Sequence, residues 1–184
     1  ELQQRHEFLE EQLTDVRNTR RELAQVIAAI DQEIQSVFAA AFADVSTNFV
    51  ELFQLLFPGG SGKLALTNPD DLLNTGIEME ARPSGKTVRR LSLLSGGERS
   101  LCALAYLFSV FRSRPSPFYL MDEVEAALDD TNIGRFVEML RSMQDHTQFI
   151  LITHNKKTME LNDTLYGVTM EEPGVSKMVS VRMN

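Results

Sequence analysis

Residues 118–123 read Phe-Tyr-Leu-Met-Asp-Glu, a short apolar run that ends in two adjacent carboxylates. The four apolar residues predict a strand that is buried inside a sheet. Such a strand delivers Asp122 and Glu123 to the edge of the sheet, where carboxylates can hold magnesium through water or accept a proton. A second buried strand is predicted at 148–153, and His154 follows it directly. Two carboxylates and an imidazole are therefore predicted at the ends of two strands.

The segments around these strands alternate between helical and strand-like patterns. Alternation of this kind predicts an α/β fold with a mainly parallel sheet and right-handed crossovers. The predicted helices are 97–112, 130–143 and 156–161. The remaining predicted strands are 63–66, 76–81, 87–91, 164–170 and 177–182.

A glycine pair precedes the first of these helices. Ser95 suits a helix N-cap, and Gly96 and Gly97 let backbone N–H groups approach a ligand closely. The positive end of the helix then suits a phosphate. Taken alone, the sequence from Ser95 to Glu98 is more typical of a capped turn than of a ligand site. Its position about 25 residues before the acid pair favours a nucleotide site.

The N-terminal 37 residues carry a heptad pattern that predicts a coiled-coil helix. Nine of the eleven a/d positions are apolar, and the exceptions are His6 and Arg20. Because a lone polar helix of this length is marginal in water, a partner helix is implied. The apolar a/d residues are Leu2, Leu9, Leu13, Val16, Leu23, Ile27, Ile30, Ile34 and Val37.

The helix is expected to continue with an apolar stripe that packs into a core and to end at Pro58–Gly62. The stripe consists of Phe38, Phe42, Val45, Phe49, Leu52, Phe53, Leu56 and Phe57. The sequence therefore predicts two parts, a coiled-coil neck helix at 1–45 and an α/β lobe at 46–184.

A phosphate-binding loop needs Gly, four residues and then Gly-Lys-Ser/Thr between a strand and a helix. Gly62-Lys63 and Gly85-Lys86-Thr87 are the two candidate sites, but neither has the first glycine. Both are interpreted as turns. The sequence therefore predicts a nucleotide site that lacks the loop that holds the β- and γ-phosphates.

Composition excludes several classes of protein. The single cysteine, Cys102, excludes an internal disulfide, and three histidines make a zinc site improbable. The net charge of −8 argues against a broad nucleic-acid-binding surface on this chain. No uninterrupted apolar run approaches the roughly 20 residues that span a membrane. The polar start, Glu1–Gln4, is not a signal peptide and suggests a segment of a longer cytosolic polypeptide.

These motifs resemble those of ABC-class ATPases, and most closely those of the SMC (structural maintenance of chromosomes) family. Residues 95–98 resemble the ABC signature, 114–132 the SMC Walker B motif and D-loop, and 153–156 the H-switch. Val124 stands where ABC transporters have proline, and 166–176 resembles bacterial members. The resemblance covers nearly the whole chain, but the N-terminal lobe with its Walker A motif is missing.

The resemblance implies the C-terminal lobe of an ABC-type head, with ATP and Mg²⁺ bound between two heads. It implies that Glu123 is the general base, that Asp122 holds magnesium through water and that His154 contacts the γ-phosphate. It further implies that the signature residues bind the γ-phosphate on the opposite head and that Asp129 acts in the D-loop across the dimer. The signature residues are Ser95, Gly96, Gly97 and Glu98.

The same resemblance implies an N-terminal lobe, a second head, a kleisin subunit and DNA as partners, in a cytoplasmic, nucleoid-associated complex that organises chromosomes. Without its N-terminal lobe the chain is expected to be inactive. Two alternatives remain open. One is a double-strand-break-repair ATPase of the coiled-coil ABC type, and the other is a non-catalytic coiled-coil interaction module. Val124 and the Ala126-Ala127 pair favour the SMC family over the first, and intact Ser95, Asp122, Glu123 and His154 argue against the second.

Overall fold

The computed structural model of the protein describes residues 1–85, 89–145, 147–160 and 162–183. Its helices are α1 (Leu2–Leu56), α2 (Gly96–Ser113), α3 (Asp130–Arg141) and α4 (Lys156–Met159). Its strands are β1 (Ser61–Leu66), β2 (Ile77–Arg82), β3 (Arg89–Arg90), β4 (Phe118–Asp122), β5 (Gln148–Ile152), β6 (Thr164–Glu172) and β7 (Val175–Arg182).

Most predicted elements are confirmed to within a few residues. The exception is the strand predicted at 87–91, of which only Arg89–Arg90 is a strand and Leu91 begins a 3-10 turn. Residues 87 and 88 lie outside the described ranges, as does Leu161 at the end of the predicted fourth helix. The chain divides into two compact units, Glu1–Ala43 with Leu66–Ile77, and Asp44–Ala65 with Glu78–Asn184.

In the first unit, α1 presents its predicted a/d seam to solvent. Leu13 and Ile34 expose 49% and 48% of their surface, and the apolar seam residues around them are similarly open. Phe38 and Phe42 stack with ring centroids 6.2 Å apart but are only half-buried, so their predicted place in a core is wrong in this chain. A helix with an exposed apolar seam has the surface that a coiled-coil partner covers.

One window of 18 residues in α1 reaches a mean hydropathy of 1.3, which by length and composition alone would suit a membrane span. A single window of this kind is a weak indication. The apolar positions of α1 recur with heptad spacing, and charged or amide side chains lie between them. We therefore interpret α1 as a coiled-coil helix.

In the second unit, the last turns of α1 enter the core. Phe49, Leu52, Phe53 and Leu56 are almost fully buried, as the apolar stripe predicts. Gly62 lies on β1 and not in the predicted turn, and a Cβ there would stand 2.6 Å from the Phe53 ring. Glycine at this position therefore allows the strand to pass directly over the helix.

The rest of the core is a stack of aromatic rings that joins α2 and α3 to the strands. Phe108 of α2 lies 6.1 Å from Phe136 of α3 and 6.4 Å from Phe149 of β5, measured between ring centroids. Tyr119 of β4 stacks on Phe149 at 5.9 Å and on Phe111 at 4.2 Å. Helix α2 thus covers one face of the β4–β5 pair, and α3 packs against α2.

Strands β4 and β5 pair in parallel from Phe118 with Gln148 to Asp122 with Ile152, which confirms the predicted parallel pairing. Both strands were expected to be buried on both faces, and that expectation is wrong in this chain. Leu120 and Ile152 expose 64% and 52% of their surface. They lie on the face opposite to the aromatic stack, where the described residues form no covering layer. The other two sheets are β1-β2-β3, with β2 and β3 antiparallel, and the antiparallel hairpin β6-β7.

Cys102 lies on α2 and is fully buried. Burial, and secondly the negative charge of Glu98 one turn earlier, raise the pKa of its thiol to about 12. Since the thiolate is the reactive form, we expect iodoacetamide to leave Cys102 unmodified in the native chain and to alkylate it in denaturant. Intact-mass spectrometry would measure this, and equal alkylation rates in the two states would contradict it.

The same shift predicts a pH dependence of stability. The unfolded thiol ionises near its ordinary pKa of 9.0, whereas the folded thiol keeps its proton up to about 12. The stabilisation is therefore complete below pH 9.0 and is lost as the pH rises through this window. A Cys102→Ala variant should lose less unfolding free energy than the wild type between these two pH values.

Candidate functional site

The acid pair stands at the carboxyl end of β4. Asp122 is the last residue of the strand, opposite Ile152 of β5, and Glu123 directly follows it. The Glu123 N–H donates to the Ile152 carbonyl at 2.9 Å, although the residue itself has a left-handed φ of 47°. This conformation is strained for a residue with a Cβ, and such strain is concentrated at functional sites. It turns the chain sharply at the point where Glu123 leaves the sheet.

Glu123 and His154 meet at this edge of the sheet. The Nδ1 atom of His154 lies 3.2 Å from Oε1 of Glu123, within hydrogen-bonding distance. Both side chains are exposed, so a substrate has access to them. The carboxylate can accept a proton, and Asp122 beside it has the oxygen ligands that magnesium prefers. One carboxylate suits a magnesium ion that keeps several of its waters.

The predicted signature turn caps α2. Ser95 is the N-cap, with its Oγ accepting from the Glu98 N–H and its own N–H donating to Oε2 of Glu98 at 3.1 Å. This reciprocal capping box uses the Glu98 side chain to close the turn. A Cβ at Gly96 would meet nothing within 4 Å, and one at Gly97 would reach only the Ala127 carbonyl oxygen, at 3.9 Å. The open, positive end of an 18-residue helix is suited to an anion.

Asp129 caps α3 in the same manner. Its Oδ1 accepts from the backbone N–H groups of Thr131 and Asn132 at 3.1 and 2.9 Å. The signature turn and the start of α3 face a common cavity of about 470 Å³, which Ser95, Gly97 and Asp129 help to line. The family resemblance implies a D-loop role for Asp129, and in this chain its carboxylate serves as a helix cap.

The structure thus groups the predicted site residues into two clusters. One contains Asp122, Glu123 and His154, at the ends of β4 and β5. The other contains the signature residues 95–98 together with Asp129, and all of these except Gly96 line the 470 Å³ cavity.

Two polar residues inside the Walker B and H-switch segments, neither of them predicted as a site residue, adjoin the first cluster in the chain. Glu125 is buried, with 6% of its surface exposed, and its carboxylate accepts a hydrogen bond from the Thr153 hydroxyl. The only sequence signal for this pair is its position, two residues after Glu123 and one before His154.

Comparison with known proteins finds one family. The family model described as the RecF/RecN/SMC N terminal domain matches residues 3–177. The chromosome partition protein Smc of Mycobacterium leprae is 56% identical over 182 residues, which are 99% of this chain and 15% of that protein. The chain thus spans about 15% of the length of such curated relatives.

Solved structures agree with this match. A chain from a study of ATP-driven dimerization and DNA-stimulated activation of SMC ATPases superposes with a TM-score of 0.75 at 42% identity, covering 81% of this chain and 90% of that one. A crystal structure of an SmcHead bound to the C-winged helix domain of ScpA gives a TM-score of 0.77 at 43% identity, covering 83% of this chain and 47% of that one.

Proposed function

Because the chain belongs to the SMC branch of the RecF/RecN/SMC family, we propose that it is the C-terminal half of an SMC-type ATPase head. Completed by an N-terminal lobe, it binds and hydrolyses ATP between two heads and so drives chromosome partition. The observation that carries this proposal is the 3.2 Å contact between Glu123 and His154 at the ends of two parallel strands. The names of the relatives favour chromosome partition over break repair.

The uncovered face of the β4–β5 pair supports completion by a second lobe. Parallel strands with continuous apolar runs are stable when both faces are covered. In this chain α2 covers one face, while Phe118, Leu120, Ile150 and Ile152 remain exposed on the other. An apolar layer from another polypeptide segment would remove this surface from water.

A cleft between two sheets supports the same conclusion. It has a volume of about 1230 Å³ and is bordered by residues 148–152 of β5 and 164–168 of β6. Within the described ranges, β5 pairs with β4 alone and β6 with β7 alone, so one backbone edge of each strand is without a partner strand. Unpaired edges with exposed apolar side chains are suited to an added strand. We propose that a strand of the N-terminal lobe fills the cleft.

Each site residue then has a defined task. Glu123 accepts the proton of the attacking water, and His154 contacts both Glu123 and the γ-phosphate. Asp122 holds magnesium through water, and the metal supplies charge neutralisation at the phosphates. Ser95, Gly96 and Gly97 present the open start of α2 to the γ-phosphate of the opposite head, with Glu98 holding the turn closed. Asp129 caps the start of α3 and acts in the D-loop across the dimer.

The assembled protein has further partners. The exposed seam of α1 pairs with a second coil helix, and two heads associate around ATP. The ScpA-bound SmcHead supports a kleisin subunit as a further partner. DNA is bound by the assembled cytoplasmic complex and not by this acidic chain alone.

The proposal predicts how activity depends on completion. The chain alone should bind ATP very weakly and hydrolyse none, because the phosphate loop belongs to the other lobe. Addition of the N-terminal lobe should give magnesium-dependent phosphate release, measured with a coupled assay. The N-terminal lobe alone is the matched control. Turnover by the purified chain without that lobe would contradict the proposal that this chain supplies only half of the ATP site.

A further inference from the structure

A part-buried hydrogen bond joins the two loops that carry Glu123 and His154. Glu125, two residues after Glu123, has only 6% of its surface exposed. The Thr153 hydroxyl donates to its carboxylate and accepts from the Asn155 N–H at 3.0 Å. Thr153 and Asn155 are the two chain neighbours of His154, so the bonds of one hydroxyl anchor the backbone on both sides of the histidine.

The loop after β4 is also held locally. The Ala126 N–H donates to the Glu123 carbonyl at 3.0 Å, and the Leu128 N–H donates to the Glu125 carbonyl at 2.9 Å. These consecutive turns fix Glu125 relative to Glu123. The ladder of strand pairs ends at Asp122 and Ile152, followed by the Glu123 N–H bond to Ile152. Beyond that point the Glu125–Thr153 hydrogen bond connects the loops, between residues that adjoin Glu123 and His154 in the chain.

A buried carboxylate is an expensive way to stabilise a fold, since its desolvation offsets much of what its hydrogen bonds contribute. An apolar pair of similar shape would serve packing alone at least as well. A hydrogen bond, unlike an apolar contact, fixes the direction and the distance between its two groups. Misplacing a reacting group by about 1 Å can cost on the order of 10²-fold in rate.

We propose that Glu125 and Thr153 are positioning residues, whose hydrogen bond sets the separation of Glu123 and His154 during ATP hydrolysis. This inference rests on the proposed function. Neither residue touches the substrate. Because they act through the two loops, their loss should lower the rate of turnover and leave the affinity for ATP unchanged.

The test uses the full-length protein with magnesium and ATP. Thr153→Val keeps the shape but removes the hydroxyl, and we expect kcat to fall roughly tenfold to hundredfold with KM nearly unchanged. Thr153→Ser retains the hydroxyl and should restore turnover. Glu125→Gln keeps an acceptor oxygen and should remain active, whereas Glu125→Leu should lose activity as Thr153→Val does. Lys157→Met is the matched control, because Lys157 joins the same two segments through Asp130 at the exposed surface.

The double variant Thr153→Val/Glu125→Leu separates positioning from stability. Thr153→Val alone leaves the Glu125 carboxylate buried without its hydrogen-bond partner, and the double variant removes that carboxylate. The Asn155 N–H loses its acceptor in both, so the double variant should melt at a higher temperature than Thr153→Val. Its turnover should stay low. Recovery of turnover together with stability would overturn the proposal, as would a wild-type kcat for Thr153→Val while Glu123→Gln is inactive. If Glu123→Gln itself turned over normally, the proposed function would fail and not only this inference.

Discussion

Replacing Ser95 with arginine is expected to abolish the ATP-dependent association of two completed heads and, with it, turnover. Ser95 lies at the start of α2 beside Gly96 and Gly97, where a Cβ on either glycine would meet at most one carbonyl oxygen, 3.9 Å away. In the proposed dimer that open space receives the γ-phosphate held by the opposite head. A long arginine side chain would occupy the space. ATP binding by each separate head should survive, because the phosphate loop that holds the nucleotide belongs to the same head.

Sedimentation with and without ATP measures the association, and a filter-binding assay measures nucleotide affinity. Ser95→Ala is the matched control for the capping box, since both variants lose the Ser95 hydroxyl. Loss of an N-cap typically costs about 1 kcal/mol of stability, so the alanine variant should fold, and it should keep more ATP-dependent dimer than the arginine variant because it leaves the space open. ATP-dependent dimers of the arginine variant would show that the signature turn does not contact the opposite nucleotide.

Much of the fold follows from patterns of apolar residues and from glycine and proline positions. The heptads of α1, the apolar runs of β4 and β5 and the capped start of α2 all depend on local periodicity and capping. The α/β class and the family resemblance are confirmed by the match to residues 3–177 and by the SMC head structures. The assigned roles of the site residues remain predictions.

The wrong expectations have a common physical origin. Leu120 and Ile152 belong to parallel strands whose apolar runs suit cover on both faces, but among the described residues nothing covers one of these faces. Their burial was therefore misjudged, although their place in parallel strands was right. Phe38 and Phe42 were assigned to the core for the same reason, because periodicity identifies an apolar face and not what covers it.

The Glu125–Thr153 bond could not be predicted from sequence because it joins residues 28 positions apart. A Glu in an acidic loop usually faces solvent, and a Thr at a strand end has no distinctive pattern. Their meeting depends on the parallel register that brings Asp122 opposite Ile152. That Glu125 and Thr153 lie near Glu123 and His154 in the sequence therefore indicates a contact only once the pairing of β4 with β5 is known.

Replacing Glu123 with glutamine has the largest expected effect on the chemical step. The glutamine amide has nearly the same shape but cannot accept a proton from the attacking water, and loss of a general base typically costs about 10²–10⁴ in rate. The substitution also removes a negative charge beside the γ-phosphate. ATP affinity should therefore hold or increase, and the completed heads should accumulate as ATP-bound dimers on gel filtration.

Asp122→Asn is the informative comparison, because it leaves Glu123 in place and weakens the proposed magnesium site. It should lower nucleotide retention and turnover together, whereas Glu123→Gln should lower turnover alone. His154→Ala tests the neighbour that lies 3.2 Å from the Glu123 carboxylate, and it should reduce turnover without the gain in dimer that Glu123→Gln produces. Phosphate release and dimer fraction, measured for all three variants, would distinguish the general base from the magnesium ligand and from the neighbouring histidine. Near-normal hydrolysis by Glu123→Gln would mean that another residue accepts the proton, and the strained turn at Glu123 would then need a different explanation.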